Sequence, residues 1–111
     1  MQGRFDELPG NEVYAGVVRR TFDARQATVT SYSFAPGASF PVHRHPQEQI
    51  TLIESGEVMM RIGDGVEPLS AGAWSVVDAD VEHGIVAGPD GAQIVAIIVP
   101  RRSSADAYTV L

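Results

Sequence analysis

Three histidines are the only imidazoles in the chain: His43 and His45 in a His-x-His pair, and His83 well downstream. Imidazole is the commonest protein metal ligand and the only side chain that titrates near neutrality unperturbed. This layout is therefore that of a metal site. No cysteine is present, which removes thiolate nucleophiles, disulfides and sulfur-ligated zinc or iron, and leaves imidazole and oxygen as ligands. No lysine is present either, all 8 basic residues being arginine, so Schiff-base chemistry is excluded.

The elements that must position these side chains read almost entirely as β. Residues 26–34 are rich in β-branched and aromatic types and end at the turn dipeptide Pro36-Gly37. Further strands are expected over 13–19, 50–54, 57–62, 74–77, 83–87 and 92–99, with turns at Ser55-Gly56, Gly63-Asp64-Gly65, Ala71-Gly72 and residues 88–91. Short strands at this spacing with Gly-rich turns point to an all-β sandwich or barrel.

Strand alternation decides what the histidines can do. Residues i and i+2 share a face with Cα atoms roughly 7 Å apart, so His43 and His45 can meet one ion at ~2.0 to 2.1 Å per nitrogen. A strand regular through Pro46 puts Gln49 on their side and Glu48 on the other.

Composition sets the outer bounds. With 111 residues the chain is expected to be one domain, 1–111, able to bury about two thirds of its unfolded surface unaided. A bound ion therefore serves function rather than folding. Hydrophobic content of 44% and charged content of 20% are ordinary for a globular protein, and no apolar run approaches the ~20 residues of a membrane span. Residues 1–10 carry Asp6, Glu7 and Pro9 where a secretory signal needs an apolar core, so a cytoplasmic location is expected. Net charge is −6, with no basic run beyond Arg19-Arg20 and Arg101-Arg102, which argues against a nucleic-acid partner.

The segment Gly37-Ala-Ser-Phe-Pro-Val-His43-Arg-His45-Pro-Gln-Glu-Gln49, closing at Gly56, resembles the first motif of the cupin superfamily. Gly72 to His83 resembles its second motif, with Asp78 and Asp80 in place of the usual Pro and Gly. The resemblance covers nearly the whole chain. It implies a double-stranded β-helix, a jelly-roll-like antiparallel barrel, holding a divalent ion (Zn, Ni, Mn, Fe or Cu) at His43, His45, Gln49 and His83. Gln49 stands where the commonest pattern has Glu. As a neutral donor it leaves the ion's charge uncompensated, making a stronger Lewis acid that is held less tightly. His-x-His-Pro-x-Glu-Gln is similar to the small pectin-degradation cupins, which open and isomerise unsaturated uronates and use this Gln as a ligand. Their late Asp-x-Phe-x-x-x-Arg run reads Ala96, Ile98 and Arg102 here, so only the arginine is kept.

The expected function is metal-dependent Lewis-acid chemistry on a small oxygen-rich substrate such as a sugar acid, by isomerisation, ring opening or cyclisation. An iron dioxygenase and a non-catalytic binding module are the alternatives. Arg102 and Glu48 are the candidate catalytic residues, the first as a carboxylate clamp and the second as a base if burial raises its pKa. Arg61 is a second possible clamp, and Asp78, Asp80 and Glu82 are further acids. Trp74, Phe40, Tyr32, Met59 and Met60 are either core or pocket wall. Residues 14–20 and 103–111 carry no motif. By analogy with small cupins, terminal strands pair with a second subunit in a homodimer.

Overall fold

The structure is a computed structural model that describes residues 1–104 and 107–111. After a 3-10 turn at Phe5–Glu7, the described chain forms β1 (Asn11–Tyr14), β2 (Val17–Asp23), β3 (Thr28–Phe34), β4 (Ser39–Arg44), β5 (Glu48–Ile62), β6 (Gly65–Ser70), β7 (Trp74–Val77), β8 (His83–Val99) and β9 (Thr109–Val110). Every pairing is antiparallel. No helix among the described residues is long and apolar enough to cross a membrane.

Two long strands turn one sheet into two layers. β5 pairs with β7 over residues 49–52 and with β6 over 57–62. β8 pairs with β4 over its first residues and with β3 over 92–98. Since β5 and β8 run side by side along most of their length, the sheet folds over across them into the expected double-stranded β-helix. The inner faces bury Val17, Phe34, Phe40, Ile53, Val58 and Ile94, which is the alternating pattern that two facing layers demand.

The turns expected at Ser55-Gly56 and 88–91 are not turns. Both lie inside continuous strands, because glycine lets a strand kink without ending it. The β5–β8 register shifts between Ile53 and Ser55 and again between Gly56 and Val58. Gly56 (φ 76°) and Gly91 (φ 73°) supply the left-handed backbone there. A Cβ on Gly56 would strike the Gly91 carbonyl oxygen and stand 2.8 Å from the Ala92 Cα. The expected strand 13–19 is likewise divided, by a turn with Gly16 at φ 77°. β6 and β9 went unread, the one interrupted by Pro68 and the other only two residues long, while the strand expected to carry both His43 and His45 ends at Arg44.

The tail pairs within its own chain. His43 and Arg44 of β4 face Val110 and Thr109 of β9, and Leu111 N–H donates to the Val42 carbonyl at 3.0 Å.

Gly56→Ala and Gly37→Ala separate backbone conformation from space. Gly37 also has positive φ (71°), but nothing lies within 4 Å of its would-be Cβ. Both changes cost roughly 1–2 kcal/mol for the left-handed conformation. Gly56→Ala adds a backbone collision and is expected to cost about 3 kcal/mol or more. Urea denaturation of the two variants checks the order.

Candidate metal centre

His43 and His83 are register partners across β4 and β8, so their rings meet at a tilt of 50° with centroids 4.1 Å apart. His45 lies one residue beyond the end of β4, its ring 4.8 Å from that of His83. All three are buried, and their ligating nitrogens lie within 4.8 Å of one another. Gln49 arrives on a separate strand, the chain having left β-structure between Arg44 and Glu48. The strand is therefore not regular through Pro46. Gln49 faces inward because it pairs with Val77 and Ile98 on β5, not through continuous alternation from the histidines.

Hydrogen bonding fixes which way each ligand presents its lone pair. Nδ1 of His43 bonds the Pro41 carbonyl at 2.8 Å, that of His45 the Gln47 carbonyl at 3.0 Å, and that of His83 the Val81 carbonyl at 2.9 Å. A carbonyl only accepts, so each Nδ1 carries the hydrogen, which in a neutral ring leaves Nε2 as a bare lone pair. The Gln49 amide nitrogen donates to the Thr51 hydroxyl at 3.0 Å, which leaves Oε1 aimed at the histidines. Oε1 lies 3.1 Å from His45 Nε2 and 3.2 Å from His83 Nε2.

These separations fit a shared ion. Two donors at ~2.0 to 2.1 Å from one metal stand ~2.9 Å apart at a right angle and ~3.4 Å apart at the tetrahedral angle. The two Gln49 contacts fall between those limits. With Nδ1–H groups committed outward, the interior holds acceptors facing acceptors, an arrangement that a cation resolves. The donor set of three imidazoles and one amide oxygen suits a divalent transition ion.

The surroundings keep the imidazoles neutral. Burial lowers the pKa of His43 to about 3, with the neighbouring His83 adding to the effect. Burial also lowers His83 to about 4, and lowers His45 with help from the Arg102 charge. Phe40 packs on the His43 ring at 4.6 Å and Tyr108 meets it edge-on at 5.1 Å.

Arg102 is brought to this wall. Its backbone N–H donates to the Thr28 hydroxyl at 3.0 Å, its side chain hydrogen-bonds Tyr32, and its guanidinium lies 5.7 Å from the Tyr108 ring centre. Burial lowers its pKa from the usual arginine value. Glu48 is not brought in: it is exposed, on the face of β5 opposite Gln49. Asp78 and Asp80 are exposed and Glu82 is half-buried. Arg61 binds the Gly63 carbonyl at 3.0 Å, on the face opposite Met60. Tyr32, Phe40 and Met60 are core, whereas Trp74 is 68% exposed and Met59 lies outside.

Asp80 explains how the second motif survives without its glycine. Its φ is 64°, a left-handed conformation that Asp tolerates better than most residues. Its N–H donates to the His45 carbonyl at 2.8 Å, tying the turn before His83 to the loop that carries His45.

Two contributors escaped sequence reading. Thr51 had a signal, since it shares a strand face with Gln49 two residues on. Tyr108 had none, because the return of the tail along β4 places it; there its hydroxyl meets that of Tyr14 at 2.9 Å.

The buried histidines set a pH dependence in metal-free protein. Folded values of about 3 and 4 for His43 and His83 lie below the unfolded value of about 6.5. Between those limits the unfolded chain binds more protons, so stability rises with pH. The contribution is complete above about pH 6.5 and is lost as pH falls toward 4, at up to about 1.4 kcal/mol per pH unit per histidine. Urea denaturation of chelator-treated protein across this range checks the sign.

The family model described as "Cupin domain" matches residues 30–99. No curated protein matches the chain significantly. Among solved structures the chain is similar to an RmlC-like cupin from Shewanella frigidimarina, with 22% identity, 91% of each chain covered and a TM-score of 0.84. It is also similar to KdgF from Halomonas sp., with 23% identity, 92% of this chain and 97% of that one covered, and a TM-score of 0.81. A variant oxalate decarboxylase of Bacillus subtilis superposes with a TM-score of 0.88 at 16% identity, over 96% of this chain and 31% of its own. These identities carry the fold alone. The match over residues 30–99, which include all three histidines, places this chain in the cupin family.

Proposed function

We propose that the chain is a metal-dependent enzyme acting by Lewis-acid catalysis on a small oxygen-rich molecule, such as a sugar acid, through isomerisation, ring opening or cyclisation. The observation that supports it most is the convergence of three histidine Nε2 atoms and the Gln49 oxygen, each histidine presenting its Nδ1 to a backbone carbonyl. The structural likeness to KdgF adds support. His43, His45, Gln49 and His83 hold the divalent ion, which when bound polarises a carbonyl, hydroxyl or carboxylate oxygen.

The protein's own residues do the rest. Gln49 contributes no negative charge, so more of the ion's field reaches the substrate. Thr51 keeps the amide from rotating. Arg102, buried against Tyr32 and Tyr108, grips a carboxylate and orients the molecule. The same reading includes a homodimer. Leu52, Val76 and Val99 share the outer face of the sheet and stand exposed, which is the apolar surface an association between subunits covers.

Metal analysis of protein purified without added ions, combined with turnover of an unsaturated uronate and oxygen uptake, tests the proposal. Zinc, nickel or manganese with product and no oxygen consumed is the expected result. Oxygen consumption by iron-loaded protein would make the site a dioxygenase, and ligand binding without turnover by any metal form would make it a binding module. Removing an outer partner of a metal site weakens metal binding by about 10–100-fold. Thr51→Val is expected to fall in that range and His43→Ala beyond it, both read by zinc competition titration. Gln49→Glu is expected to tighten metal binding while slowing turnover.

A further inference from the structure

A second cleft is lined by none of the four ligand residues. It has a volume of about 240 Å³ between β6 and β7 and is lined by Met60, Ile62, Leu69, Glu67, Trp74 and Ser75. Drug-sized pockets begin at ~300 Å³, so this one suits a smaller molecule. Strand pairing sets two of its lining residues next to residues of the metal site. Ile62 is the register partner of His83, and Ser75 is the register partner of Thr51, whose hydroxyl holds the Gln49 amide.

The chemistry of the cleft is mixed. Met60, Ile62 and Leu69 offer carbon surface. Glu67, exposed on the edge strand β6, pairs with Met60 across β5 and β6 and so lies on the same side of the sheet, at the mouth of the cleft. Ser75 is 9% exposed, and its hydroxyl is buried without a hydrogen-bond partner among the described residues. Buried hydroxyls are ordinarily paired, and one that is not calls for an explanation. A ligand hydroxyl supplies it.

We propose that this cleft is the second half of the substrate site, taking the polyhydroxylated end of a short monocarboxylic acid whose carboxylate end meets the ion; the proposal rests on the metal-binding reading above. Ser75 exchanges a hydrogen bond with a hydroxyl of that end, and the carbon walls pack on its C–H groups. Glu67 accepts from a second hydroxyl and repels a second carboxylate, which sets the preference for one acid group over two.

Zinc affinity is first measured by competition titration on wild type, Ser75→Ala, Ser75→Leu and Glu67→Gln. Glycolate, threonate and tartrate are then titrated calorimetrically into each zinc-loaded protein. In wild type, threonate is expected to bind about tenfold more tightly than glycolate, and tartrate no more tightly. Ser75→Ala loses most of the threonate advantage and Ser75→Leu, which plugs the cleft, loses all of it. Glu67→Gln improves tartrate, and zinc affinity is unchanged in all three variants. Normal zinc binding with threonate no tighter than glycolate, or with its advantage intact in both Ser75 variants, overturns the cleft proposal alone. Failure of wild type to bind zinc overturns the metal reading, and the cleft proposal with it.

Discussion

Three backbone carbonyls, those of Pro41, Gln47 and Val81, govern the chemistry of this barrel. Each takes the Nδ1 hydrogen of a histidine two residues away in sequence, and each thereby turns a bare nitrogen inward. Gln49, held from behind by Thr51, adds a fourth acceptor. Burial raises the cost of protonating any imidazole in place, since a charged ring there has lost its water and faces other buried groups. A metal ion would satisfy all four acceptors at once.

Much of the fold serves to place those carbonyls. The β4–β8 register sets His43 opposite His83, and the hydrogen bond from Asp80 to the His45 carbonyl joins the turn before His83 to the loop that carries His45. Farther away, Gly56 and Gly91 let β5 and β8 bend past each other where a side chain would collide. Without that bend the two layers would not face each other, and Gln49 on one half of β5 would not share an interior with Ile62 on the other. The tail adds a wall rather than a ligand: β9 pairs with β4 and sets Tyr108 beside His43.

The fold class and the three histidines were legible because they rest on local patterns: strand alternation, Gly-rich punctuation and the spacing of a short motif. Gln49 was legible too, though through the wrong geometry, since a break after Arg44 rather than an unbroken strand delivers it. What sequence hid was non-local. Ser55-Gly56 and residues 88–91 look like turns by composition, yet whether a glycine ends a strand or bends it depends on the partner strand. Glu48 sits among the right neighbours and faces outward, whereas Arg102 and Tyr108 lie in an unmarked tail and reach the site by tertiary pairing.

The most direct measurement is nitrogen-15 NMR of selectively labelled histidines, before and after one equivalent of zinc. The account predicts three neutral imidazoles at pH 7 in metal-free protein, all protonated on Nδ1, with every Nε2 resonance moving on zinc addition while the Nδ1–H signals persist. A histidine protonated on Nε2, or Nε2 resonances indifferent to zinc, would contradict it.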